Sequence, residues 1–232
     1  MIKKIIIVIL SVFITTSSYA GNSLDFDGVS DYLQITSFAH NIGAGSFTWM
    51  AWVNTDDSTT NYLGIMSSGS FDPNMTTDSS DFGNQWGAYW NGVLNSGSSL
   101  TTGVWVHLVF QRDGTTINFF EDGVQTANTW TEAESIPNTD FEIGRNGTAA
   151  PLNGRMAYAR VYNRALSLAE INTAMHCTDE PVSGLIANWK LIDSGTPSSY
   201  KDFSGNGHDA GVIIAPVESS DGPPTSACGG NQ

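Results

Sequence analysis

The sequence predicts an all-β fold, two antiparallel sheets packed as a sandwich, with one short helix near residues 167–176. Two observations lead there. From Ser23 to Arg164, short runs rich in Val, Ile, Thr and aromatic residues alternate with Gly, Asn and Asp clusters, as in strands joined by tight turns. Helical spacing is confined to one late stretch, where Leu168, Ile171 and Met175 recur. The composition agrees with a globular chain: 232 residues are 40% hydrophobic, 11% aromatic and 14% charged, enough apolar material for a sizeable core.

Phe47 to Val53 reads as one strand, in which Phe47, Trp49, Ala51 and Val53 share a side opposite Met50 and Trp52. Both sides are apolar, as in a sheet covered on both faces or an aromatic-rich site. Val104 to Phe110 is a second such strand and runs into the turn Arg112-Asp113-Gly114. Thr115 to Phe120 returns, and Glu121-Asp122-Gly123 makes the next turn, so these runs form a meander. Phe141 to Gly144 and Met156 to Tyr162 are further strands. Ser167 is the expected N-cap of the helix, with Glu170 closing a capping box. After a polar linker around Pro181, Leu185 to Leu191 reads as another strand, while the tail from Pro216 is expected to be irregular.

At the N-terminus, Lys3 and Lys4 precede the apolar run Ile5–Ile14, and Ser18-Tyr19-Ala20 is small and polar. Residues 1–20 therefore read as a secretory leader cleaved near Ala20, since the apolar run is too short to span a bilayer. The expected location is outside the cytoplasm, extracellular or periplasmic, with no membrane insertion. In such an oxidising compartment, the only two cysteines, Cys177 and Cys228, are expected to form one disulfide. The formal charge is −14, with 23 acidic against 9 basic residues, and loss of Lys3 and Lys4 with the leader makes it more negative. Such a surface repels phosphate backbones and anionic lipid, which argues against a nucleic-acid partner.

Several segments in order resemble a known family. Leu24-Asp25-Phe26-Asp27-Gly28 through Tyr32-Leu33 and Ser46-Phe47-Thr48-Trp49 through Val53 resemble the opening strands of laminin-G-like domains of the concanavalin A-like lectin/glucanase superfamily. Trp105-Val106-His107, Phe120-Glu121-Asp122-Gly123, Ile143-Gly144-Arg145, Leu152-Asn153-Gly154-Arg155 and Arg164-Ala165-Leu166-Ser167 resemble its later strands, hairpin and helix. The resemblance implies a jelly-roll sandwich over residues 21–176. Gly184 to Leu191 and Asp202 to His208 resemble a strand and turn that precede the jelly roll in many relatives but follow it here. Residues 177–232 are accordingly expected to be companion strands packed on the sandwich and clipped by the disulfide, or a vestige of a second domain.

No catalytic pattern stands out, so the chain is expected not to be an enzyme. The glucanase branch places Glu-x-Asp-x-x-Glu on one strand, and no such run occurs. Glu121, Glu132, Glu134 and Glu142 are the acids near strands. Among the scattered histidines, His107 lies on a core strand and reads as a packing residue. Asp25, Asp27 and Asp31 crowd one turn and offer the hard oxygens that calcium takes, although the same residues could instead make Asx turns. Asp202-x-Ser204-x-Asn206-Gly207 has the early spacing of a calcium loop without its bidentate glutamate. Asp72, Asp78 and Asp81 read as a solvated loop.

Sugar recognition calls for an aromatic platform beside amide and carboxylate groups. Gln85-Trp86-Gly87-Ala88-Tyr89-Trp90-Asn91 offers both, with Trp86 and Trp90 on one side and Tyr89 on the other, and Trp130 is a further candidate. A sandwich also buries aromatics between its sheets, so packing competes with that role, and Trp52 and Trp105 are assigned to packing. Asn74 and Asn146 stand in glycosylation sequons. The expected function is a secreted carbohydrate-binding, lectin-like module, possible calcium dependence included. The rival readings are an extracellular protein-interaction or surface-structural module and a small glycoside-cleaving enzyme. The partner is then a glycan or an extracellular protein, with the oligomeric state open.

Overall fold

A computed structural model describes residues 23–60, 62–69, 72–78, 84–91, 93–147, 151–176, 181–192 and 198–224. The expected leader and both cysteines, Cys177 and Cys228, lie outside the described residues. The chain begins with β1 (Ser23–Asp27), β2 (Tyr32–Ile35), β3 (Phe47–Thr55), β4 (Gly64–Ser68), β5 (Asn74–Asp78), β6 (Gln85–Tyr89) and β7 (Val93–Ser99). It continues with β8 (Val106–Asp113), β9 (Thr116–Glu121), β10 (Val124–Gln125), β11 (Trp130–Thr131), β12 (Phe141–Ile143) and β13 (Asn153–Tyr162). The helix α1 (Leu168–Met175) precedes β14 (Leu185–Trp189), β15 (Ser199–Tyr200), β16 (Ala210–Ile214) and β17 (Val217–Ser219).

The strands form two antiparallel sheets. The first runs β10-β9-β8-β3-β13-β1-β17, with β11 also on β9 and β14 also on β13; the second runs β15-β16-β2-β12-β4-β5-β6-β7. The hairpins follow from turn chemistry. Asp113 pairs with Thr116 across Gly114-Thr115, with Gly114 at φ 60° in the first turn position, as a type II′ turn requires. Glu121 pairs with Val124 across Asp122-Gly123, both at positive φ, as a type I′ turn requires.

Between the sheets lies an aromatic-rich core. Phe47, Trp49 and Phe110 from the first sheet meet Phe141 and Trp90 from the second, with Trp49 edge-on to Phe141 at 4.9 Å. Edge-to-face contacts of this kind add about 0.5–1.5 kcal/mol each beyond burial. The two-sided hydrophobicity of β3 has a structural cause. Its opposite side turns Met50 toward Val109, Tyr162 and the helix residues Ile171 and Ala174, while Trp52 packs with Ala157 and Tyr158 and donates Nε1–H to the Met175 carbonyl at 3.0 Å. The first sheet is therefore covered on both faces. As the sequence predicts, Ser167 and Glu170 close a reciprocal capping box on α1.

The C-terminal strands join both sheets: β14 pairs with β13, β16 with β2, and β17 with β1. The tail after Pro216 thus departs from the irregular course expected of it. The free edge of β1 offers unpaired amides and carbonyls, and Val217–Ser219 takes them. Asp221 then anchors the tail, accepting from Arg155 at 2.7 Å and from the Trp105 indole at 3.3 Å. Upstream, Asp202 organises the connection between β14 and β16 by accepting from the amides of Asn188, Ser204 and His208. Burial raises the Asp202 pKa, but these amides outweigh it and hold the carboxyl below its ordinary value. The calcium-like spacing of this segment thus falls on a turn whose first carboxylate bonds the chain's own amides.

Candidate functional site

The second sheet has one face on the core and one directed outward, and strand alternation decides which residues each face receives. On β2, Leu33 and Ile35 point inward and Tyr32 and Gln34 outward; on β12, Phe141 and Ile143 point inward and Glu142 outward. The register brings Gln34, Glu142, Ser67, Asn74 and Tyr89 into one row across β2, β12, β4, β5 and β6. All five carry hydrogen-bonding groups. Above part of this face lies an open cleft of about 1030 Å³, bordered by Tyr32, Gln34, Asp72, Asp140, Glu142 and Arg145, with Val29, Pro151 and Ile214 along its wall.

Glu142 and Arg145 set the centre of the cleft. The Arg145 guanidinium donates to both Glu142 oxygens, at 2.6 and 3.3 Å, and lies 3.4 Å from the centroid of the Tyr32 ring. The Glu142 hydrogen bond raises the Arg145 pKa further, so the guanidinium is permanently charged. Gly147 adds an amide donor to Glu142 at 2.8 Å. The backbone beneath is tight: a Cβ on Gly64 would lie 2.2 Å from the Arg145 carbonyl carbon and the Asn146 nitrogen, so only glycine lets β4 approach this turn. At the far end, Asp140 accepts from the Ser37 amide at 2.7 Å and from Gln34 at 3.2 Å. Asp72 also borders the cleft, with its carboxyl pKa raised, chiefly by burial and further by the charges of Glu134 and Glu132, against a lowering hydrogen bond from the Asn91 amide.

The residues expected to bind ligand fare differently. Trp86 and Trp90 are not a surface platform; they are 1% and 2% exposed and sit in the inter-sheet core, where Trp90 packs on Phe47 and beneath the Arg112 guanidinium. The predicted alternation is correct, but the tryptophan side of β6 is the core side. Trp130 is half-buried and stacks on Phe110 at 6.4 Å, closing the core edge at β11. Tyr89 alone of the four occupies the outer face of the second sheet, in an edge contact with Tyr62.

Asp25, Asp27 and Asp31 do not converge on a common point, and among the described residues no three acidic, histidine or cysteine side chains form a metal cage. Asp27 caps its own turn, accepting from the amides of Val29, Ser30 and Asp31, and Asp31 accepts from the Asp27 amide. This is the Asx-turn alternative. The Asp27 pKa is correspondingly lowered, first by the Ser30 amide. Asp25 faces Arg155, with burial raising its pKa and Arg155 lowering it. Both sequon asparagines, Asn74 and Asn146, are fully buried. Glu132 is held by Asn91 and by the Glu134 amide, and His107 is buried against Trp52.

A family model, Laminin_G_3, described as the concanavalin A-like lectin/glucanases superfamily, matches residues 27–172, more than half of the chain. The chain belongs to this superfamily. Among solved structures, this superfamily member is similar to a "putative carbohydrate binding protein" from Bacteroides ovatus, with a TM-score of 0.73 at 18% identity. That match covers 88% of this chain and 61% of the Bacteroides protein, so the chain spans less than two thirds of that relative. A pentraxin from Limulus polyphemus matches with a TM-score of 0.54 at 14% identity, over 85% of this chain and 95% of the pentraxin. Domain 4 of AbnA, an extracellular arabinanase of Geobacillus stearothermophilus solved with arabinotriose, matches with a TM-score of 0.52 at 17% identity, over 64% and 74% of the two chains. At these identities the likeness is one of fold. No curated protein sequence matches the chain. Sequence reasoning missed Tyr32, Gln34, Asp72, Asp140 and Arg145 as a group. The alternation in Tyr32-Leu33-Gln34-Ile35 and Asp140-Phe141-Glu142-Ile143 marks an outward polar face, but the pairing of these distant segments is set by the topology.

Proposed function

We propose that this lectin/glucanase-superfamily chain is a secreted, non-catalytic carbohydrate-binding module that holds a glycan in the cleft on the outer face of its second sheet. The observation that carries the reading is a cleft large enough for several sugar units, bordered by the polar side chains of Gln34, Thr139, Asp140 and Asp72, with the Arg145 guanidinium fixed on Glu142 at its centre. Sugar hydroxyls both donate and accept, and this surface supplies partners for both. The similarity to the Bacteroides protein and to the arabinanase domain supports the reading. Both Glu142 oxygens already accept hydrogen bonds from Arg145 and Gly147, which favours binding over nucleophilic attack.

The test is a glycan array on the full chain, with calcium and with chelator, followed by titration of the best oligosaccharide and chromatography of that sugar after long incubation. Binding to a coherent sugar class that Arg145→Ala weakens at least tenfold, with the oligosaccharide recovered intact, supports the proposal. Cleaved product moves the reading to a glycoside-cleaving enzyme, and a chelator-sensitive signal adds calcium to the site. Silence with folded protein moves it to a protein partner, for which exposed Val29, Ile214 and Val217 offer apolar surface.

A further inference from the structure

The cleft is asymmetric in charge. Ile214 pairs with Tyr32 and Gln34 with Glu142, so along the strands Tyr32 and Ile214 lie to one side of the Gln34–Glu142 pair and Asp140 to the other, with the Glu142–Arg145 bridge at the centre and Asp72 also on the border of the cleft. Among the described residues bordering the cleft Arg145 is the sole basic one, and the bidentate bridge to Glu142 offsets its charge. Two carboxylates are left over. Asp140 is held by an amide and a glutamine, and Asp72 by an amide with Glu132 and Glu134 close behind it. Among the described residues neither forms an ion pair with a cation.

We infer that this cleft selects glycans carrying no carboxylate or sulfate, that is, uncharged or amine-bearing sugars, and rejects uronic, sialylated and sulfated ones. The inference rests on the carbohydrate-binding reading and adds to it the class of sugar. An anionic group entering the cleft loses water and finds no free cation among the described residues, unless Arg145 abandons Glu142 and leaves that buried carboxylate uncompensated. Elsewhere along the cleft the same group meets Asp72 or Asp140 as a like charge. A hydroxyl or an ammonium in the same position donates to those carboxylates. The net charge of −14 extends the discrimination to approach from solution, where it is sensitive to salt.

The experiment titrates the full chain against matched oligosaccharides. These are xylo-oligomers without and with glucuronic-acid branches, lactosamine without and with terminal sialic acid, and a chito-oligomer in acetylated and deacetylated forms. Each is measured at low salt and at about 0.5 M sodium chloride. For every backbone that binds, the acidic member is expected to bind about tenfold or more weakly at low salt, with the gap narrowing at high salt. The deacetylated chito-oligomer is expected to match or exceed its acetylated form. In the Asp72→Asn, Asp140→Asn double variant the neutral-to-acidic ratio falls at low salt. An acidic member that binds as well as or better than its neutral partner at low salt overturns the inference and leaves the carbohydrate reading standing. Silence toward every backbone, with the chain shown to be folded, overturns both.

Discussion

Lowering the pH from neutrality to about 4.5 is expected to destabilise the fold through one residue, His107. Its ring is fully buried beside Trp52, neither ring nitrogen has a hydrogen-bond partner, and burial together with the Arg160 and His176 charges pushes its pKa down to about 3 from an ordinary 6.5. The unfolded chain therefore binds a proton that the folded chain refuses throughout that interval. Stability is complete above pH 6.5 and falls as the pH drops toward 3, by about 1.4 kcal/mol per unit. Two units of acidification cost about 3 kcal/mol, a large share of the roughly 5–15 kcal/mol that holds a domain together. The assay is urea unfolding of the native chain and of His107→Leu at about pH 7, 5.5 and 4.5. Leucine fills similar space, leaves no polar atom unpaired, and keeps the backbone amide that donates to Asp122, so the variant should unfold within about 1.5 kcal/mol of the native chain at neutrality. Carboxylate titrations are common to both proteins, so the difference between the two pH curves isolates His107. Parallel curves between pH 6.5 and 4.5 would refute the reasoning.

Gly64→Ala is expected to cost about 1–3 kcal/mol, because the new Cβ meets backbone atoms of Arg145 and Asn146. It should also weaken oligosaccharide binding, since the displaced turn carries the cleft arginine; denaturation and titration of one preparation check both effects. Glu170→Ala removes the capping box of α1 together with its bridge to Arg164, and is expected to cost about 1–2 kcal/mol, with Glu170→Gln costing less because the cap survives. Arg164 first, then the Ser167 amide, lower the Glu170 pKa to about 2. Its contribution is thus present above pH 4.5 and lost as the pH falls toward 2, which thermal melts of the native and Glu170→Ala chains across that interval would show as converging midpoints.

Local rules recovered the elements that local chemistry determines. The glycine turns at Gly114 and Asp122-Gly123 and the Ser167–Glu170 box need only a few neighbouring residues, and each forms where the sequence puts it. The side on which Trp86 and Trp90 lie was equally legible. Which side of β6 meets the core was not, because that depends on a second sheet assembled from segments far apart in sequence. The cleft illustrates the same difficulty more sharply. Gln34 and Glu142 become neighbours only when β2 and β12 pair, and Asp72 reaches them through a loop that read as solvated. Composition favoured aromatic residues as ligand contacts, yet among the described residues the one aromatic ring bordering the cleft, Tyr32, is covered by a guanidinium. The acidic turn at Asp27 left calcium binding and Asx turns open for a related reason. A carboxylate that binds a metal and one that caps its own backbone look alike until the amide partners are placed.

The family match ends at residue 172, but the face that carries the cleft does not. Strand β16 pairs along the free edge of β2, satisfying backbone groups that would otherwise offer a template for association, and it brings Ile214 to the cleft wall opposite Tyr32. Strand β14 extends β13, and its last residue, Trp189, stacks on Phe141 and donates its indole N–H to the His208 carbonyl at 2.7 Å. Phe141 is the inward residue between Asp140 and Glu142, the two outward carboxylates of the cleft. An unbroken series of contacts thus runs from the turn organised by Asp202, through Trp189 and Phe141, to the floor of the site. Without β14 and β16, the inner support of β12 and the outer wall beside β2 would both be missing. The cleft face is therefore a property of the chain through residue 214, and the segment that follows the family match is a structural part of it.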